Sequence, residues 1–143
     1  VPACDGVVDA IDQVRAKAAL IAHCRAAGLP IVTTGGAGGR RDPSRLVIED
    51  LARTVQCPLA AKVRARLRRD YGFPRDPKRK FGVDCVFSPE PVARPAVQAC
   101  DADQAAEGLQ GLNCAGYGSS VMVTASYGFA AAARLLEGLC KAG

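Results

Sequence analysis

The stretch Asp5–Gly39, DGVVDAIDQVRAKAALIAHCRAAGLPIVTTGGAGG, constrains the fold more than any other part of this sequence. The apolar run Gly6–Ala10 reads as a buried-type strand. Gln13–Ala27 is rich in alanine, carries Arg15 and Lys17, and is followed by Gly28, a residue suited to capping a helix C-terminus. Pro30–Thr34 is a second apolar strand, and the loop Gly35-Gly36-Ala37-Gly38-Gly39 closes the unit. Strand, helix and strand at this spacing predict a right-handed parallel crossover. In open α/β sheets, ligands bind where the carboxyl ends of parallel strands meet their loops. Asp9 and Asp12 fall at one such end and Thr33–Gly39 at the next. No phosphate-cradling glycine loop on a first strand precedes this unit, so the sequence reads as the back half of a nucleotide-binding fold.

The remaining elements agree with one α/β domain, for which 143 residues and 49% hydrophobic content supply a sufficient core. Arg45–Leu51 alternates as a strand returning antiparallel after the glycine loop. Pro58–Asp70 reads as a helix, with Pro58 near its first position and Gly72 past its end. Phe73–Lys80 is a loop rich in proline and charge, Val83–Ser88 a strand, and a proline-punctuated segment follows to about Pro95. Ala96–Asn113 has no clear period and reads as a mobile loop, and Ser119 to about Cys140 is the last helix. Ala115–Ala133 carries no charge, a length close to a membrane span. Its Ser119, Ser120, Thr124, Ser126, three glycines and many alanines make insertion weakly favourable, so a helix packed on the sheet is expected and a membrane partner is not. Val1–Asp12 lacks a basic start and holds three Asp, unlike a secretory signal.

Composition excludes several functions. Seven cysteines, at 4, 24, 57, 85, 100, 114 and 140, form no C-x-x-C pair, and there is one histidine, so a structural zinc is not expected. Reduced thiols in a cytoplasmic protein fit this usage better than a secreted disulfide scaffold. Between Lys62 and Lys80 lie Lys62, Arg64, Arg66, Arg68, Arg69, Arg75, Lys78, Arg79 and Lys80 against only Asp70 and Asp76. Nine cations less two anions give +7, so the excess of a chain with formal net charge +5 is one local patch. A solvated helix face with a basic loop would look like this, and so would the footprint of a polyanion. Among polyanions nucleic acid fits better than membrane, because the window lacks an aromatic or leucine-rich face.

The glycine loop is not a dinucleotide fingerprint, since Arg40-Arg41-Asp42-Pro43 and a strand-like run follow it instead of a helix. Tight turns, or close approach of backbone to a phosphate or substrate, are the two explanations of its glycines. Arg40 and Arg41 could reach a phosphate or simply meet solvent. Cys85 alternates with apolar neighbours and reads as core. His23, flanked by Ala22 and Cys24 on a helix, reads as structural.

Four segments in order carry a resemblance over nearly the whole chain: VVDAIDQVRAKAALIAHCRAAGLPIVTTGGAGGRRDP, DLARTVQCPLAAKVRARLRRDYG, GVDCVFS and NCAGYGSSVMVTASYGF. They resemble the tRNA threonylcarbamoyladenosine dehydratase family of the ThiF-type superfamily, related to ubiquitin-activating enzymes; only the segment around Ala93–Gly111 matches loosely. The resemblance implies a ThiF-type Rossmann-like sheet with flanking helices. On this basis residues 1–143 are the C-terminal portion of a single such domain, with the nucleotide-loop half upstream of Val1. It implies an ATP-dependent, ligase-like dehydratase that cyclises a modified adenosine in tRNA through an acyl-adenylate, this chain alone being inactive. Asp12 is then placed at the Mg²⁺–ATP site, with Asp9 a weaker candidate that could instead hold a loop; one or two carboxylates suit Mg²⁺. Asp12 could also cap the following helix, a compatible role. Cys114 in NCAGYG matches the reactive cysteine, and the cations Lys62, Arg66, Arg68, Arg69, Arg75, Lys78, Arg79 and Lys80 become candidate tRNA contacts. A homodimer and a sulfur-transfer partner protein are further implied associations. Two alternatives remain open: a sulfur-carrier adenylyltransferase of the same superfamily, disfavoured by the absent C-x-x-C ligands, and a non-catalytic RNA-binding remnant.

Overall fold

The computed structural model describes residues 3–92 and 118–142. In chain order the elements are β1 (Val7–Asp9), α1 (Val14–Ala26), β2 (Ile31–Thr34), β3 (Val47–Asp50), α2 (Pro58–Asp70), β4 (Asp84–Phe87) and α3 (Val121–Ala142). Short 3₁₀ turns at Pro43–Arg45 and Leu51–Arg53 flank β3. The expected order of elements is reproduced, with most strand and helix ends trimmed by one or two residues. The segment Ala96–Asn113, expected as a loop, lies outside the described residues.

The sheet runs β1-β2-β4-β3. β1, β2 and β4 are mutually parallel, pairing Val8 with Val32 and Thr33 with Cys85. β3 is antiparallel to β4 at one edge, with Asp50 opposite Asp84; its antiparallel direction was expected, its partner and register were not. Val47, Ile48 and Glu49 are exposed there, which suits an edge strand.

Period-2 alternation sends neighbouring residues of β4 to opposite layers. Cys85 and Phe87 join Ala18, Ile21 and Cys24 of α1 and Val63 and Leu67 of α2 in the larger core. Val86 points the other way and packs with Val32 against Val123, Tyr127 and Ala131 of α3. Full burial of Ile21 or Leu67 contributes about 1.5–3 kcal/mol each. The third layer confirms the packed helix expected at the chain's end: α3 contacts β1, β2 and β4. Among the described residues no helix is long and apolar enough to cross a membrane.

Local sequence explains where α1 stops. Gly28 takes φ +67°, Leu29 N–H donates to Cys24 C=O at 2.9 Å and Gly28 N–H to Arg25 C=O at 3.3 Å. This is the two-bond left-handed cap that glycine makes without steric cost. The turn returns the chain directly into β2, so the carboxyl ends of β1 and β2 lie side by side.

Candidate functional site at the carboxyl edge of the sheet

β1 ends on Asp9, and the side chain faces inward with 1% exposure. Its Oδ1 accepts the Ile11 N–H at 3.0 Å, and its Oδ2 accepts the Thr33 hydroxyl of β2 at 2.6 Å. Lys17, on the second turn of α1 and equally buried, brings Nζ to 2.8 Å from the same Oδ2. This is an ion pair whose angles fall short of a directed hydrogen bond. Asp9, the weaker candidate for a cofactor ligand, makes the contacts of its alternative role, holding the loop after β1. Both of its oxygens are committed internally and its charge is matched by Lys17.

Asp12 is exposed three residues further on and forms no ion pair among the described residues. The expectation that it caps α1 is corrected. Gln13 occupies the N-cap position with extended backbone and no side-chain cap bond, and no acidic residue sits in the first turn. Asp12 thus stands exposed at the strand end, with no ion-pair partner among the described residues.

The glycine loop lies beside it. Gly35 N–H donates to Val86 C=O at 2.8 Å, and a Cβ on Gly35 would stand 2.9 Å from Cys57 Sγ and 3.1 Å from Phe87 Cβ. Close packing is therefore the reason for that glycine, and Gly39 supplies a positive φ of +74°. Downstream, Asp42 caps the 3₁₀ turn Pro43–Arg45 through Ser44 N–H at 2.9 Å. No helix start opens toward the loop, in keeping with the sequence reading. Cys57 Sγ accepts from Gly36 N–H and from Ala60 N–H, each at 3.4 Å, linking the loop to the start of α2.

Arg40 departs from its expected solvent or phosphate role. It is 4% exposed and acts as an internal clamp, Nη1 donating to Gly38 C=O at 2.9 Å and Nη2 to Gln56 C=O. Arg41 stays exposed, while its N–H reaches the Glu90 carboxylate at 3.1 Å. Tyr127 of α3 is buried nearby, with its phenol pushed up to about 12 by burial. His23 lies exposed on α1, away from this edge, and Cys85 is core, its thiol pushed up to about 12 by burial. Cys114 lies outside the described residues. Among the described residues no group of His, Cys, Asp or Glu could by itself hold a metal ion.

The basic window divides into two populations. Lys62, Arg75, Lys78, Arg79 and Lys80 are exposed and without an ion pair among the described residues. Arg66 and Arg69 both approach Asp70, at 3.1 and 2.6 Å. Arg68, expected as a free phosphate contact, is engaged in the fold. Its Nε donates to Pro74 C=O at 3.1 Å and its guanidinium stands 5.2 Å from the Phe81 ring centroid.

Sequence reasoning missed Lys17 and the clamp of Arg40. For Lys17 a signal existed: it falls on the buried face of α1 with Ala18, Ile21 and Cys24, and a charge there requires a partner. For Arg40 there was none, because its acceptors are backbone carbonyls.

Fold and site together define a mostly parallel, open α/β protein of Rossmann-like type, with an acidic turn and a glycine loop at the carboxyl edge of its sheet. No protein-family model matches the chain. It is 51% identical over 134 residues to the tRNA threonylcarbamoyladenosine dehydratase of Escherichia coli, covering 92% of this chain and 50% of that protein. It is 45% identical over 139 residues to the enzyme of the same name from Haemophilus influenzae, covering 96% of this chain and 51% of the relative. The crystal structure of the E. coli enzyme in complex with ATP superposes with a TM-score of 0.80 at 44% identity, covering 98% of this chain and 49% of that one. The AMP complex gives 0.78 at 45% identity, covering 96% and 49%. The chain is a homologue of the tRNA threonylcarbamoyladenosine dehydratases and spans about half the length of these relatives.

Proposed function

We propose that this chain acts, as part of a longer protein, in the ATP-dependent cyclisation of threonylcarbamoyladenosine in tRNA. The observation that carries the reading is the 51% identity of 92% of this chain to half of an enzyme of that name, with Asp12 exposed at the carboxyl end of β1 where the fold places ligands. In this reaction ATP is the co-substrate: the threonyl carboxylate attacks its α-phosphorus to form an acyl-adenylate and pyrophosphate leaves. The adjoining carbamoyl group then attacks the acyl carbon, losing a proton, to close the ring, and AMP leaves.

The residues present fit Mg²⁺ in one respect. Mg²⁺ keeps much of its water and takes one or two carboxylates beside phosphate oxygens, and Asp12 offers one such carboxylate in solvent. Bound there, the ion would neutralise phosphate charge. Asp9 does not join it, because Lys17 and Thr33 hold its oxygens. The glycine loop lacks a following helix start, so the triphosphate cradle is assigned to a further part of the longer protein. Cys114 is assigned a step after activation, the exposed cations of 62–80 the tRNA backbone, and the working form is a cytoplasmic homodimer.

The test is AMP release by the full-length protein with modified tRNA, followed by mass spectrometry of the tRNA nucleosides. Asp12→Asn keeps the side chain's shape and is expected to weaken Mg²⁺–ATP binding and abolish AMP release. Cys114→Ser is expected to leave adenylate formation intact and lose the cyclised nucleoside. Wild-type product from both variants overturns these assignments. ATP turnover stimulated by a small ubiquitin-like protein instead of tRNA overturns the substrate and establishes a sulfur-carrier adenylyltransferase.

A further inference from the structure

The β1–α1 turn that presents Asp12 has no ordinary means of staying in place. Helix N-termini are usually fixed by a side chain bonding the free amides of the first turn, yet Gln13 makes no such bond and the first turn has no acid. The turn is braced instead from below. Asp9 Oδ1 holds Ile11 N–H at 3.0 Å inside the turn, while Asp9 itself is fixed by Thr33 at 2.6 Å and Lys17 at 2.8 Å. Lys17 is the first residue of α1 whose amide closes a helical bond, to Gln13 C=O at 2.9 Å. Side chains of a helix lean toward its N-terminus, which brings the ammonium back under the strand end.

A buried ion pair adds little net stability over apolar side chains of similar volume. With Lys17 and Asp9 both 1% exposed, fold stability alone gives no reason for charge at this point. Geometry gives two. The pair fixes the turn in one position, and it cancels the charge of Asp9, so that Asp12 is the carboxylate the strand end shows to a ligand.

We propose that Lys17 is a positioning residue for the Mg²⁺–ATP site, acting through Asp9 and Thr33 to hold residues 11–13 in the conformation that presents Asp12. The proposal rests on the function proposed above. Residues behind a metal ligand change affinity or activity by about 10–100-fold when removed.

The experiment uses the full-length protein and two readouts. Lys17→Met is expected to raise the Mg²⁺–ATP dissociation constant by about 10-fold or more, with kcat at saturating ATP changed far less. Amide exchange at Ile11–Gln13 should accelerate roughly tenfold while amides of α2 stay protected. Lys17→Arg, which keeps the charge, should recover most of the affinity. Thr33→Val removes one bond to the same carboxylate and should produce the same pattern at about 3–10-fold; it decides the matter alone if Lys17→Met does not fold. Exchange at Ile11–Gln13 identical to wild type in a folded variant overturns the proposal, as does a loss of thermal stability with unchanged Mg²⁺–ATP affinity. Asp12→Asn separates the two readings. If that variant binds Mg²⁺–ATP normally, the metal role of Asp12 fails, whereas the exchange of residues 11–13 still tests Lys17 independently.

Discussion

At the scale of single residues, burial decides the chemistry of the thiols and the phenol. Cys85 sits fully inside the sheet, and burial, with Cys57 beside it, pushes its thiol from 9.0 up to about 12. An acid whose folded pKa exceeds its unfolded value holds its proton more tightly in the fold. Its contribution to stability is complete below pH 9.0 and is lost as pH rises toward about 12, because the unfolded chain ionises first. Tyr127, moved from 10.0 to about 12 by burial, acts in the same direction and over a higher window. Denaturant unfolding measured through this range should show a steady alkaline loss. Cys85→Ala should start about 1–3 kcal/mol lower but lose less on the way up. An identical alkaline slope in wild type and variant would remove Cys85 from the account. Tyr127→Phe should be mild at neutral pH, since its hydroxyl finds no hydrogen-bond partner among the described residues. The alternation around Cys85 made it legible as core. Lys17 escaped notice because an alanine-rich helix carrying Arg15, Lys17 and Arg25 reads as well solvated until the direction of its buried stripe is known.

At the scale of elements, what was legible was local. Gly28, Pro58 and Gly72 sit at helix ends and act within a few residues, so α1 and α2 fell where the sequence placed them. The partners of each strand and the tie between β3 and β4 are long-range, and no local pattern encodes them. Asp50 is the example. At the end of β3, 6% exposed, it caps the turn Leu51–Arg53 through Ala52 N–H at 2.9 Å. It also accepts Phe81 N–H at 2.9 Å and Gly82 N–H at 2.8 Å from 31 and 32 residues away. One carboxylate thus fixes the approach to β4, where Gly82 adopts φ +72°. Removing it strands three amides, each costing about 1–3 kcal/mol if left unpaired, with water recovering part. Asp50→Ala is therefore expected to lose about 3–5 kcal/mol of unfolding free energy, and Asp50→Asn, which keeps one acceptor oxygen, about half as much. A denaturation midpoint for Asp50→Ala within error of wild type would show that these bonds are replaceable.

At the scale of the whole molecule, the uneven charge is the feature the sequence exposed most plainly and resolved least. Counting residues gave a window of +7 between Lys62 and Lys80, but not which cations were free. The fold answers by using some of them. Arg68 ties α2 to Pro74 and stacks on Phe81, and Arg66 and Arg69 share Asp70. Arg75, Lys78, Arg79 and Lys80 are left exposed on the loop after α2, with Lys62 on the helix itself. A phosphate backbone is bound chiefly through the counterions that such free cations displace. Under the proposed function, replacing Arg75, Lys78, Arg79 and Lys80 with Gln should weaken tRNA binding across tRNA species and leave unfolding unchanged. The log–log dependence of affinity on salt should become shallower by about 0.7–0.9 for each phosphate contact removed. Replacing Arg66 and Arg69 should flatten it less, because their charge is already shared with Asp70, and Arg68→Ala should lower stability through the lost contact with Phe81. Equal salt slopes for wild type and the four-residue loop variant would return the loop to ordinary solvated surface and place the tRNA footprint elsewhere on the protein.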